Sequence, residues 1–409
     1  MNTYFYIIIG ILIFFYLFDT LIDILNVRHI STTIPNEFKN VFDTEKYKKS
    51  QEYLKANTSF KLLENTLSFG VIIAFITLGG FNGLDLFIRE FNLTSIQTGI
   101  IYIFSLGLGM QIIGLPFSWV HTFVIEEKFG FNKSTQKTFF LDLLKGILLG
   151  GIIGSIILFL VLWFFESFPT TGWIIAWGAV TAIQLILMYI APTFIMPLFN
   201  KFTPLEEGEL KTAVENYAKE HKFGLKGLYT MDGSKRSTKS NAFFTGFGNN
   251  RRIVLFDTLI EKHTTDELLV ILAHEMGHYK KHHIFQTLLL SIISSAAMFY
   301  ILSFFLNNPD IAAAFKMQNI SIYSSIVFFG FLFKPVEEAL SIFGNILSRK
   351  NEFEADKYAK DTTNKEEALI SGLKKLSADN LSNLTPHPLK VFITYSHPPL
   401  LDRIKALRS

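Results

Sequence analysis

The stretch Thr264–His278 of this 409-residue chain, TTDELLVILAHEMGH, predicts a capped helix that ends in an HExxH motif. It begins with the Thr-x-x-Glu pattern of a capping box, and the apolar residues that follow carry the helix into the motif. His274 and His278 are four residues apart, so both imidazoles face one side of the helix and can bind one Zn²⁺. Glu275, between them, can accept a proton from a water molecule on the metal. The motif therefore predicts the machinery of a zinc peptidase.

A catalytic zinc site needs a third protein ligand and leaves its fourth position to water. The best candidate is Glu352, within the sequence SRKNEFEAD of Ser348–Asp356. Asp356 follows four residues later on the same helical side, where it can accept a hydrogen bond from a liganding imidazole. Glu354 points elsewhere on a helix and is the weaker candidate. From spacing alone, the segment is equally compatible with a solvated, charged helix end.

The composition is that of a membrane protein. The residues are 49% hydrophobic and only 18% charged, and 43 of them are Phe. This is too apolar for an ordinary soluble surface, so the lipid bilayer is a predicted partner. A net charge of +3 is too small to indicate a nucleic-acid partner. The absence of cysteine excludes disulfides, thiolate metal ligands and a thiol nucleophile.

Hydropathy predicts seven spans of about the length that a bilayer requires. They cover Tyr4–Leu25, Leu67–Phe87, Ile96–Trp119, Ile147–Phe165, Trp173–Phe194, Thr287–Leu306 and Ile320–Leu347. The first is interpreted as a span because it lacks the basic start and the small-residue cleavage site of a signal peptide. Charged residues interrupt the seventh, and at that depth they must face protein or water, which indicates a hydrated interior.

The basic residues predict the orientation of these spans. Lysine and arginine are concentrated in the loops after the first and third spans, so we expect the odd-numbered loops in the cytoplasm and the N-terminus on the other side. The zinc helix and Glu352 then share the cytoplasmic side, as a single site requires. The expected location is the cytoplasmic membrane in a bacterium or the endoplasmic reticulum in a eukaryote.

The span pattern divides the chain into four regions. Residues 1–199 hold five spans, 200–283 a cytoplasmic peptidase unit with the HExxH helix, 284–347 two further spans, and 348–409 the rest of the peptidase site. The unit 200–283 is predicted to be α+β, with a helix over Leu205–His221. Its predicted strands are Gly227–Met231, Ser240–Thr245 and Arg252–Phe256, with a Gly-Asn-Asn turn at 248–250 between the last two.

Peptidases of this class often bind their substrate as an added strand on an exposed sheet edge. The candidate edge is Ser240–Phe244, where Asn241 could hold a substrate carbonyl. By itself, the sequence around Asn241 fits an ordinary loop asparagine better.

A set of motifs in this order resembles the type I CAAX prenyl protease family of integral-membrane zinc metallopeptidases. The resemblance extends over nearly the whole chain. Besides the HExxH helix, the motifs are Leu115–Ser118, Thr122–Glu126, Gly130–Lys133, Pro197–Leu205, Asp232–Ser237, Ser240–Ala242, Arg252–Leu259, Ser348–Asp356 and Ser396–Leu400. HExxH alone occurs in many peptidases, whereas the ordered set is highly specific.

The resemblance implies a role for each motif residue of the zinc site. His274, His278 and Glu352 would bind the zinc, Glu275 would be the general base, and Asp356 would support a ligand. The implied fold is mostly α, with about seven long transmembrane helices enclosing a water-filled chamber and a small α+β zinc peptidase unit that faces it.

The resemblance also implies that Asn241 and His397 contact the substrate or stabilise the tetrahedral intermediate. On sequence alone, His397 before two prolines is most simply a turn residue. The implied activity is removal of the C-terminal tripeptide from prenylated CAAX proteins, so the expected partner is a peptide or protein substrate, possibly C-terminally prenylated. Two alternatives are a quality-control protease that cuts unprenylated membrane proteins and a chamber protein without activity. The second is disfavoured because the catalytic residues are intact.

Overall fold

The computed structural model describes residues 2–245 and 251–409, and most of this chain is helical. The helices of the N-terminal half are α1 (Thr3–Arg28), α2 (Thr44–Thr77), α3 (Gly80–Arg89), α4 (Ser95–Val120), α5 (Gln136–Ser167), α6 (Gly172–Ile190) and α7 (Glu209–Glu220). Those that follow are α8 (Asp257–Ile260), α9 (Thr265–Lys280), α10 (His283–Phe305), α11 (Pro309–Ala314), α12 (Ile322–Thr363), α13 (Glu366–Asp379), α14 (Pro388–Thr394) and α15 (Leu400–Arg408). The mostly α, multi-pass fold is confirmed.

Six helices of the described chain are long and apolar enough to cross a membrane. They are α1, α2, α4 with its π-helical continuation to Glu126, α5, α6 with its continuation to Leu198, and α10. The seventh predicted span, Ile320–Leu347, lies within the 42-residue helix α12. Lys334 makes ion pairs of 3.3 Å with Glu337 and 3.7 Å with Glu338 inside that helix. Six of the seven predicted spans thus lie at least partly in helices apolar enough to cross a membrane, and the seventh lies in α12, whose hydropathy this charge cluster lowers.

The second predicted span, Leu67–Phe87, is wrong in its bounds. Helix α2 ends at Thr77, and α3 starts only at Gly80. Gly79 between them has φ 77°, a left-handed conformation that favours glycine. The apolar run continues through this break, so hydropathy gave no sign of it. The 34 residues of α2 start at Thr44, and its first turns carry the lysines of the predicted cytoplasmic loop.

The described residues of the region 200–283 contain four strands, β1 (Phe202–Pro204), β2 (Gly227–Met231), β3 (Ala242–Thr245) and β4 (Arg252–Phe256). They form one sheet in the order β1-β2-β4-β3. Strand β2 pairs with β4 in parallel, and β1 and β3 add to the two sides as antiparallel strands. Strand β3 is thus an edge strand, shorter by two residues than predicted, and β1 was not predicted. The turn predicted at 248–250 lies outside the described residues.

One buried core joins the sheet to the helices of the peptidase unit. It includes Val270 and Met276 of α9, Ile253 of β4 and Leu369 of α13, all at most 1% exposed. Burying side chains of this size stabilises the fold by about 1.5–3 kcal/mol each. Helix α9 is therefore held between the sheet and the C-terminal helices, which fixes the position of its motif.

Candidate metal centre

Helix α9 starts at the predicted capping box. The backbone N–H of Glu267 donates to Thr264 Oγ1 at 3.3 Å, and the backbone N–H of Thr264 donates to Glu267 Oε2 at 3.0 Å. Both bonds satisfy N–H groups that have no partner within the helix. From this fixed start, the helix runs through His274 and His278 to Lys280.

The last turns of α9 lie against α12 at the glycine of the motif. A Cβ atom on Gly277 would lie 3.2 Å from both the Cα and the carbonyl oxygen of Ala355, closer than ordinary van der Waals contact. Glycine therefore permits the two helices to approach closely. Glu352 lies three residues before Ala355 on α12, and this close approach brings its carboxylate to the two histidines.

The three predicted ligands converge on one point. The Nε2 atoms of His274 and His278 are 3.2 Å apart. Glu352 Oε2 lies 3.5 Å from His274 Nε2, and Glu352 Oε1 lies 3.3 Å from His278 Nε2. Glu352 Oε2 is buried without a hydrogen-bond partner among the described residues. Within residues 2–245 and 251–409, no other group of three His, Cys, Asp or Glu side chains lies close enough together to hold a metal ion.

Asp356 supports His274 from behind. Its Oδ1 lies 2.9 Å from His274 Nδ1. Arg403 of α15 donates to both oxygens of Asp356, at 2.8 and 2.6 Å, and its Nη1 lies 3.4 Å from Glu352 Oε2. Burial alone would raise the pKa of Asp356, but the charge and hydrogen bonds of Arg403 lower it. The sequence did not predict Arg403, because nothing local in α15 connects this residue with helix α12, which ends at Thr363.

His278 has a different partner. Its Nδ1 lies 3.0 Å from Nδ1 of His283, the first residue of α10, and His283 Nε2 lies 3.2 Å from Glu354 Oε2. His283 is only 3% exposed. Glu354, the weaker candidate for third ligand, thus lies at the far end of this chain of contacts and outside the cluster of three. The sequence analysis did not predict the contact of His283 with His278, although a histidine five residues after the motif was a possible signal.

The protonation states of His274 and Glu352 depend on burial and on the charged groups around them. Burial alone would lower the pKa of His274, but the nearby carboxylates of Asp356 and Glu352 raise it to about 9. Burial would raise the pKa of Glu352, and its contacts with His274 and His278 lower it instead. Near pH 7, His274 therefore carries a proton that metal binding would have to displace, whereas Glu352 is already ionised.

Glu275 and His278 line two cavities, of about 250 and 440 Å³, and His274 lines the smaller one. Burial raises the pKa of Glu275, and the two histidines offset part of this. The smaller cavity also contains Asn241 and His397. His397 Nε2 lies 3.4 Å from Glu352 Oε1, with a side chain 65% exposed. The exposed Asn241 accepts a hydrogen bond from the backbone N–H of Ala242 at 2.9 Å, immediately before the edge strand.

Two family models together match most of the chain. Residues 23–201 match the model of the CAAX prenyl protease N-terminal region with five membrane helices. Residues 204–409 match peptidase family M48.

Individual proteins are similar over almost the full length. The chain is 37% identical to the probable CAAX prenyl protease 1 of Schizosaccharomyces pombe, over 89% of this chain and 80% of that protein. It is 33% identical to CAAX prenyl protease 1 of Saccharomyces cerevisiae, over 92% and 88%. The human CAAX prenyl protease 1 homolog is 33% identical, over 96% and 93%. The crystal structure of S. mikatae Ste24p superposes with a TM-score of 0.95 at 32% identity, covering 100% of both chains.

Proposed function

The chain belongs to peptidase family M48, among the CAAX prenyl proteases, and from this premise we propose that the membrane metalloprotease uses one Zn²⁺ to cut prenylated CAAX proteins near their C-terminus. The observation that carries the proposal is the convergence of His274, His278 and Glu352 beside Glu275, which lines two cavities. Glu352 Oε2 has no hydrogen-bond partner among the described residues and only ion-pair contacts of 3.4 Å to Arg403 and 3.5 Å to His274, which supports a metal at that point.

The donor set supports zinc as the metal. Two imidazole nitrogens and one carboxylate oxygen, with an open side for water, form a common set of ligands in catalytic zinc sites. Here all three residues line the cavity that Asn241 and His397 also line. Zinc held by these three residues would supply a water molecule with its pKa lowered to about 7 and would polarise the carbonyl of the scissile bond.

Glu275 is the proposed general base. Its carboxylate accepts a proton from the attacking water and passes it to the leaving amine as the peptide bond breaks. Burial raises the pKa of this carboxyl group above its usual range, which favours the uptake of the proton.

Asn241 and His397 are the proposed contacts to the substrate. The peptide adds to the free edge of β3, where Asn241 binds one of its carbonyl groups. His397 lies on the exposed side of the carboxylate of Glu352, and from there it donates a hydrogen bond to the oxyanion that forms during attack. Its exposure keeps the imidazole available to a substrate in the cavity.

A matched pair of peptides tests the proposal. The purified full chain, in lipid vesicles, is incubated with a farnesylated CAAX peptide and with its unprenylated twin, each with and without chelator. The Glu275→Gln protein is the control for a contaminating protease. We expect cleavage after the prenylated cysteine, its loss with chelator and its return with zinc. Equal cleavage of both peptides would contradict the prenyl requirement, and chelator-resistant cleavage would contradict the metal.

We further propose that the active site faces the cytoplasm. The lysines of the loop before α2 and of its first turns support this orientation by the positive-inside rule. A cysteine introduced between Lys46 and Lys55, or at the C-terminus, should react with an impermeant maleimide only from the cytoplasmic side. One placed at Asn308 should react from the other side, and the reverse pattern would contradict the orientation.

A further inference from the structure

The two histidines of the motif are supported differently. His274 reaches a carboxylate directly, because its Nδ1 lies 2.9 Å from Asp356 Oδ1. Among the described residues, no carboxylate occupies the equivalent place next to His278. Its Nδ1 instead lies 3.0 Å from Nδ1 of the buried His283. Histidine ligands almost always pair the nitrogen that does not bind metal with a carboxylate, a carbonyl or water, so a second imidazole in that place calls for an explanation.

If His278 binds the metal, the positions of the hydrogens on His278 and His283 follow from the contacts. His278 turns Nε2 towards Glu352 and His274, so Nε2 is the atom available to the metal. A neutral imidazole that binds through Nε2 carries its hydrogen on Nδ1. That hydrogen can be donated to His283 only if Nδ1 of His283 is an acceptor. The hydrogen of His283 is then on Nε2, which donates to Glu354 Oε2 at 3.2 Å.

We propose that His283 and Glu354 form a hydrogen-bond relay that holds His278 in its metal-binding tautomer and orientation. The relay rests on the proposed metal binding by His278. His274 contacts the carboxylate of Asp356 directly, whereas His278 reaches the carboxylate of Glu354 through the imidazole of His283. His283 and Glu354 are positioning residues, since they act on the metal through His278.

The location of the relay fits this role. His283 is the first residue of α10, after a left-handed His282 with φ 60°, so a tight turn connects the end of α9 to the relay. Glu354 lies on α12, two residues beyond Glu352, and Lys350 lies 3.7 Å from it. The relay therefore connects α9 to α12, the two helices that supply the three ligands. It restrains the ring of His278 relative to His274 and Glu352.

Three variants and a neighbouring control test the relay in the full chain. His283→Phe fills the space without an acceptor, His283→Asn keeps an acceptor near Nδ1 but loses Glu354, and Glu354→Gln removes the charge at the end. His282→Asn is the control, because His282 is exposed and asparagine tolerates its left-handed backbone. The readouts are zinc affinity by chelator competition, the absorption spectrum of the Co²⁺ protein and the melting temperature of the metal-free protein.

We expect His283→Phe to weaken zinc binding by about 10–100-fold and to change the Co²⁺ spectrum. His283→Asn should recover part of that affinity, Glu354→Gln should cost less than His283→Phe, and His282→Asn should match the unmodified protein. The relay would be contradicted by unchanged zinc affinity in His283→Phe and Glu354→Gln. It would equally be contradicted if His283→Asn and His283→Phe lost affinity only in proportion to a lower melting temperature.

A His274→Ala protein separates this test from that of the proposed function. Loss of zinc in His274→Ala together with unmodified affinity in His283→Phe overturns the relay alone. Unmodified zinc binding in His274→Ala overturns the metal site itself, and the relay with it.

Discussion

The residues proposed to hold the metal and those proposed to hold the substrate differ in how firmly the fold fixes them. Of the proposed ligands, His274 and Glu352 are 7% and 4% exposed, and the side chain of His278 is 22% exposed. Asp356, which contacts His274, is only 2% exposed. The side chain of His397 is 65% exposed, and Asn241 is exposed as well. The metal site is thus organised before a substrate arrives, whereas the substrate contacts are completed by the substrate. Mutations in the two sets should therefore be separable by metal content.

The largest difference is expected between two neighbouring glutamates. Glu352→Ala removes a buried carboxylate that faces both histidines, so zinc and activity should be lost together. Glu354→Ala removes a carboxylate that contacts only His283 and Lys350, and it should retain most of the zinc. Asp356→Ala should lie between them, with zinc affinity weakened by about 10–100-fold. Zinc measured in the three purified variants decides this, and equal loss at Glu352 and Glu354 would contradict the ligand assignment.

His397→Ala should act on the rate and leave the metal in place. A hydrogen bond to a developing oxyanion is strongest in the transition state, so we expect kcat to fall by about 10²–10³-fold. Kinetics, zinc content and melting temperature on one preparation provide the check. If the histidine is a structural turn residue before Pro398 and Pro399, stability and zinc will fall together. An unchanged kcat in a folded, zinc-loaded variant would exclude the catalytic role.

The affinity of the metal-free protein for zinc should depend on pH. His274 has a raised pKa of about 9, so at lower pH zinc must displace its proton. The affinity should therefore rise about tenfold per pH unit up to that pKa. Chelator competition between pH 7 and pH 9 measures the slope. Asp356→Asn removes one cause of the raised pKa and should shift the plateau to lower pH, whereas an affinity independent of pH would contradict the charge balance of the site.

Asn241→Ala should have the smallest effect of these changes. One hydrogen bond to a peptide carbonyl contributes about 0.5–1.5 kcal/mol, so kcat/KM should fall by up to about tenfold. Both affinity and rate should suffer, because the contact exists before and during attack. The zinc content should not change. Steady-state kinetics with the farnesylated peptide test this, and full activity would leave Asn241 as an ordinary residue before an edge strand.

Sequence patterns predicted well those features that depend on neighbours in the chain. Capping residues and apolar periodicity predicted α9, and the spacing of four residues placed Glu352 and Asp356 on one side of α12. The break at Gly79 was missed because the apolar run continues across it. Strand β1 was missed because three residues that end in Pro204 show no alternation. Arg403 and the contact of His283 with Glu354 depend on packing between distant helices, which local patterns do not report.

The most direct test of the account is a paired measurement of zinc and turnover in Glu275→Gln. The glutamine keeps the shape of the side chain but cannot accept the proton, and Glu275 is not among the three proposed ligands. We expect about one zinc per chain, as in the unmodified protein, and cleavage of the farnesylated peptide lower by about 10²–10⁴-fold or more. Near-normal turnover in the zinc-loaded variant would contradict the assignment of Glu275 as the general base, and with it the proposed mechanism.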